Sequence, residues 1–222
     1  MDWFILITTL YFKILLISQL HHCYYEYSLK FLINQIYKLN YLFFIKKEII
    51  KKMNLTSDKI KYLHLYNKND DSIDISNYKI ISIDENSFKK FYCLQSIILK
   101  SCGIKMIKNE FKHLQTLVEL NLYSNQIESL DETTFIGTDQ LSILNLSKNK
   151  IKNLPRNLFK DMINLNEINF SGNNISNLDM NVFNHLTSLT NFNVSNNNIK
   201  AFQSFEKLIS LVTINLSWNL IE

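Results

Sequence analysis

Histidines and carboxylates placed in pairs are the first side chains to weigh for chemistry, because they supply metal ligands and general acids or bases. In this chain of 222 residues the candidates are His21–His22, His113 and His185, Asp70–Asp71 and Asp131–Glu132. A zinc site needs three or four such ligands, and no Cys, His or carboxylate cluster of the right spacing accompanies His21–His22. His113 and His185 each stand two residues after a phenylalanine, in FKHL and FNHL, which is how one structural slot repeats. The two acidic pairs fall where solvated charges are common, one at a turn after an expected strand and one in a weakly patterned segment. No G-x-x-x-x-G-K, H-E-x-x-H or G-x-S-x-G run occurs, so no phosphate cradle, zincin helix or nucleophile elbow is expected. The reading is of a protein that is not an enzyme, with no catalytic residue, no metal and no cofactor.

The elements that would position any site must come from a chain with unusual punctuation. Hydrophobic residues make up 46% and charged residues 20%, which indicates a folded protein. The formal net charge is only +4, and Lys and Arg form no stripe, so nucleic acid is not an expected partner. Three glycines and one proline are too few for folds built on Gly/Pro turns, so the chain must turn by other means.

Those means appear in a self-comparison. LVELNLYSNQI starts at Leu117, LSILNLSKNKI at Leu141, LNEINFSGNNI at Leu165, LTNFNVSNNNI at Leu189 and LVTINLSWNLI at Leu211. LQSIILKSCGI from Leu94 fits with Cys102 in place of an asparagine, and a weaker copy runs from Asp70 to Ile80 with Tyr78 there. The chain thus resembles the leucine-rich-repeat superfamily, in the class of about 24 residues with a late Phe. The resemblance implies an α/β solenoid: a curved horseshoe with a parallel concave sheet and an irregular or 3-10 convex side, preceded by N-terminal helical segments. It further implies a strand at each L-x-L, followed by a turn at which Asn125, Asn149, Asn173, Asn197 and Asn219 satisfy backbone groups. Phe88, Phe111, Phe135, Phe159, Phe183 and Phe205 would stack on the convex side.

Alternation along a strand places the residue between the two buried leucines on the concave wall. That position holds Asp74, Ile98, Asn121, Asn145, Asn169, Asn193 and Asn215. The next outward position holds Ser76, Lys100, Tyr123, Ser147, Ser171, Ser195 and Ser217, with Trp218 one place further. Ile98, Tyr123 and Trp218 are the larger elements of an otherwise short, neutral wall, and aromatic groups are the expected anchors for a protein ligand. The same positions generate N-glycosylation sequons at Asn145, Asn169, Asn193 and Asn215, and two more lie at Asn54 and Asn174. Strands about 4.8 Å apart leave no room for four neighbouring glycans. Either few sequons are used or the domain never meets the glycosylation machinery.

Three segments follow. Residues 1–22 are a hydrophobic signal or membrane-anchor segment, apolar from Trp3 to Leu20 but with Asp2 where a basic residue is usual and no small-x-small cleavage site. If it is retained, the lysines after it favour a cytoplasmic C-terminal flank. Residues 23–57 are an amphipathic helical or linker segment, with Leu32, Ile36, Leu39 and Phe43 at helical spacing from about Ser28 to Met53. This segment either lies on an anionic membrane or shields the first repeat. Residues 58–222 are the repeat domain, about seven repeats with the last incomplete. Because the chain stops at Glu222 just after a strand, it is expected to be a fragment or to complete itself by pairing. Cys93 and Cys102 flank one expected strand and either pair or stay free.

The expected function is protein–protein recognition by the concave face, as in extracellular or membrane-attached receptor or adhesion proteins, with a protein ligand or co-receptor as partner. The other reading is a cytoplasmic adaptor or regulatory subunit with reduced cysteines and no glycans.

Overall fold

The computed structural model describes residues 53–63, 71–201 and 204–222. The hydrophobic segment 1–22, His21–His22, the helix expected from Ser28 and residue Asp70 lie outside the described residues. Residues 50–222 form one compact unit.

Within it the chain winds as a solenoid of parallel strands. Strand β1 (Met53–Leu55) and helix α1 (Ser57–Leu63) come first. They are followed by β2 (Ser72–Asp74), β3 (Ile80–Ile83), β4 (Ser96–Ile98), β5 (Glu119–Asn121) and β6 (Ile143–Asn145). Then come β7 (Glu167–Asn169), β8 (Asn191–Asn193) and β9 (Thr213–Asn215). Seven of these form one sheet in the order β2-β4-β5-β6-β7-β8-β9, while β1 pairs with β3 in a separate parallel pair. Met53–Leu55 is thus a strand within the stretch that the sequence reads as helix or linker.

The register is the repeat itself. Ile97 pairs with Leu120, Leu120 with Leu144, Leu144 with Ile168 and Ile168 with Phe192, so equivalent residues stack without slippage. These side chains and the second row, Leu99, Leu122, Leu146, Phe170 and Val194, are buried. Because each strand is only three residues long, neither row could bury enough area alone; stacking makes them one continuous core. Opposite the sheet, Phe88, Phe111, Phe135, Phe159 and Phe183 are buried, with centroids 5.7 Å apart for Phe88–Phe111, 5.9 Å for Phe135–Phe159 and 5.7 Å for Phe159–Phe183. Phe170 and Phe192 replace aliphatic residues of the sheet rows and reach this aromatic row, at 6.3 Å from Phe159 and 4.8 Å from Phe183. Phe205 is half-buried. The convex side is mostly turns, with a single described 3-10 helix at Met180–Phe183.

An asparagine ladder closes each turn. The Asn149 amide donates to Leu122 O and Leu146 O, both at 3.0 Å, while its Oδ1 accepts from Ile127 N–H at 3.0 Å. Asn125, Asn173, Asn197 and Asn219 repeat the pattern. At the Cys102 rung the thiol donates to Ile75 O at 3.1 Å, and Ile80 N–H, which has no side-chain acceptor there, bonds to Cys102 O at 2.8 Å instead. Cysteine therefore replaces the donor half of the amide alone. Burial pushes its thiol up to about 11. Cys93 is exposed and both thiols are free.

A left-handed residue recurs once per turn: Asn77, Ser101, Ser124, Lys148, Gly172, Asn196 and Trp218. This is how a glycine-poor chain makes its bends; the cost of a side chain at positive φ is borne at each rung by the paired backbone around it. Asp131, read from sequence as a solvated charge, is exposed but caps a turn, accepting from Thr133 N–H at 2.9 Å. The Thr133 hydroxyl holds its carboxyl below the usual range. Asp84 and Asp179 accept in the same way from Asn86 and Asn181, each four residues before a core Phe.

Candidate recognition surface

The open face of the sheet is built from alternate residues of each strand. Ile98, Asn121, Asn145, Asn169, Asn193 and Asn215 stand opposite one another in register, forming one column across six strands. The five asparagines do not hang free. Each turns its Oδ1 back onto the main-chain N–H two residues on, at 3.2 Å to Tyr123, 3.0 Å to Ser147, 2.9 Å to Ser171, 3.0 Å to Ser195 and 3.0 Å to Ser217. Such Asx turns end each strand and fix the amide's orientation. The hydroxyls of Ser147, Ser195 and Ser217 also donate to that oxygen, at 2.6, 2.8 and 2.7 Å.

The second expected column departs from its reading at one place. Ser171 and Ser195 are half-buried and Ser217 is exposed, but Ser147 retains only 3% of its surface. Its hydroxyl lies on Asn145 Oδ1 as those of Ser195 and Ser217 lie on Asn193 and Asn215, so at this rung the serine is a buried part of the turn. Lys100 is half-buried with its N–H on Ser76 Oγ at 3.3 Å. Tyr123 is half-buried, and the Lys148 ammonium lies 5.2 Å from its ring centroid, a cation–π contact that holds the ring at the sheet face. Trp218, at the left-handed turn after β9, is 83% exposed.

A third column was missed in the sequence: Ser96, Glu119, Ile143, Glu167, Asn191 and Thr213, the first residue of each strand. It lies two residues before the asparagines and so shares their face. The alternation alone would have found it, but its residue types follow no template. Ser96 Oγ donates to Glu119 Oε2 at 3.1 Å, and Ile143, Glu167, Asn191 and Thr213 are exposed. With the exposed Asp74, which pairs with Ile98, the face carries three carboxylates beside a column of neutral amides.

The sequons divide by geometry. Asn145, Asn169, Asn193 and Asn215 belong to the amide column just described, whereas Asn54, in β1, and Asn174, in the turn after β7, are exposed. His113 is half-buried and His185 exposed, at the same convex slot of different turns. Among the described residues, no three His, Cys, Asp or Glu side chains are grouped to hold a metal.

Comparison with known proteins agrees with this geometry. The model of the leucine-rich-repeat family matches residues 94–151, 139–199 and 163–221. No curated protein matches the chain. Among solved structures, the chain is similar to a leucine-rich-repeat protein of Leptospira interrogans, with a TM-score of 0.61 and 25% identity over 67% of this chain and 37% of the other. It is also similar to a chain of the TLR13–ssRNA13 complex, with a TM-score of 0.60 and 26% identity over 65% of this chain. The chain thus covers well under half the length of either relative, 37% of the first and 21% of the second.

Proposed function

Since the chain belongs to the leucine-rich-repeat family, we propose that it is a binding module, not an enzyme, that holds a protein partner against the open face of its sheet. The observation that carries this reading is the registered column Asn121–Asn145–Asn169–Asn193–Asn215, flanked by Tyr123: five oriented amides and an aromatic ring on one face of the sheet. A protein presents amides and apolar side chains to match both. Glu119 and Glu167 on the same face disfavour a polyphosphate backbone, so the single-stranded RNA named with one structural relative is not carried over to this chain.

The extracellular or membrane-attached setting is part of the proposal. It is supported by the apolar run from Trp3 to Leu20 and by the exposed sequon residues Asn54 and Asn174. The cytoplasmic adaptor is kept as a second reading because the other four sequons lie on consecutive rungs of one column, where strands about 4.8 Å apart crowd four glycans together.

Two measurements test these statements. A photo-crosslinking residue placed at Tyr123 should yield a protein adduct in cells, and the same residue at the convex Lys160 should not; adducts at both or neither would overturn the sheet-face reading. Synthesis of the full chain with microsomes should give a glycosidase-sensitive shift in mass. No shift, with the repeats open to added protease, selects the adaptor.

A further inference from the structure

The asparagine column has a polarity that decides what can lie on it. Each Oδ1 is already occupied by the N–H two residues on, and at Asn145, Asn193 and Asn215 by a serine hydroxyl as well. The Nδ2 group of each is thereby turned outward, and among the described residues none of the five amide nitrogens donates to any group of the chain. The face is a row of hydrogen-bond donors, one per rung.

An ordinary extended strand is a poor match, because it would bring its own N–H donors against this row. Its carbonyls on one side also recur about every 6.8 Å, out of step with rungs about 4.8 Å apart. A polyproline II segment differs in both respects. Proline has no N–H, so a proline-rich backbone offers carbonyl acceptors alone. With three residues per turn and a rise of about 3.1 Å, its carbonyls on one side recur about every 9.3 Å, close to the roughly 9.6 Å spanned by two rungs. Segments of this kind bind where an aromatic side chain receives the proline ring, and Tyr123, steadied by Lys148, flanks the column at its first rung.

We propose that the occupant of this face is a proline-rich segment of a partner protein in the polyproline II conformation, running across the strands with carbonyls on alternate asparagines and a proline ring on Tyr123. The proposal rests on the sheet face being the recognition surface.

The test is fluorescence anisotropy of the full chain with a labelled nonaproline peptide and a Gly-Ser peptide of equal length. Nonaproline should bind at least tenfold tighter. The double variant Asn145→Asp/Asn169→Asp keeps the oxygens that accept from Ser147 and Ser171 but replaces the outward donors with acceptors. It should melt cooperatively and lose at least tenfold in nonaproline affinity. Should that variant fail to fold, side-chain 15N resonances of asparagine in the unaltered protein provide the same answer, since nonaproline should shift those of the column. Equal binding of the two peptides, unaltered binding by a folded double variant, or no amide shift would each overturn the proposal. A Tyr123 crosslink that nonaproline fails to displace would overturn it while leaving the recognition reading standing, and absence of any crosslink at Tyr123 would remove both.

Discussion

At Asn173 one amide group satisfies Leu146 O, Phe170 O and Ile151 N–H, three backbone groups inside the solenoid. Each such group costs about 1–3 kcal/mol if buried without a partner. Asn173→Ala should therefore destabilise by about 2–4 kcal/mol after local relaxation, read from the midpoint of urea unfolding. Cys102 supplies a second prediction at this scale. Because burial raises the folded thiol to about 11 from 9.0, the folded state keeps its proton where the unfolded chain loses it. Stability from this group is whole below pH 9, falls as the pH rises and is gone above about 11. With the third cysteine of the sequence removed by Cys23→Ala, Cys93 should react with a maleimide in the native state, and Cys102 only when denaturant opens the rung. Replacing Cys102 by Ala should remove its share of the alkaline decline in melting temperature.

At the scale of the element, a turn is defined both by φ and by what surrounds it. Gly137 and Gly172 both have positive φ, 79° and 67°. A Cβ at Gly137 would come within 2.3 Å of Lys112 O, a backbone atom of the neighbouring turn, whereas at Gly172 the nearest atom is Lys148 Cγ at 3.4 Å. Gly172→Ala should cost about 1 kcal/mol, the ordinary penalty for an L-residue in this region and one that Ser124 and Lys148 already bear. Gly137→Ala adds a clash with main chain that cannot rotate away, and should cost about 2–4 kcal/mol. Thermal unfolding of the two variants side by side separates conformational strain from crowding; equal losses would show that space at Gly137 is not limiting.

For the molecule as a whole, contacts run between neighbouring turns, so damage to one rung removes the support of two others. Leu144 is fully buried between Leu120 and Ile168. Leu144→Asp places an unpaired charge there and should abolish cooperative unfolding of the repeats, seen as loss of the thermal transition. Tyr123→Ala, at the half-buried edge of the same region, should leave that transition in place and weaken partner binding. If Tyr123→Ala unfolded the protein, its place on the sheet face would be wrong.

The sequence by itself determined the solenoid, the rungs and the rows that stack, because a repeat of about 24 residues writes its register into Leu120, Leu144, Ile168 and Phe192 at equal phase. It also placed the asparagine column on the open face, since strand alternation is fixed by backbone geometry. What it left undecided depends on groups that meet only across turns or through rotation of a side chain. That Ser147 is buried where its equivalents are not, that Asp131 is a turn cap and that Cys102 retains half of an amide's function are facts of three-dimensional contact. The outward donors of the amide column are of the same kind: the sequence names asparagine, but which end of the amide faces a partner is decided by the N–H two residues away, brought to it only by the folded turn.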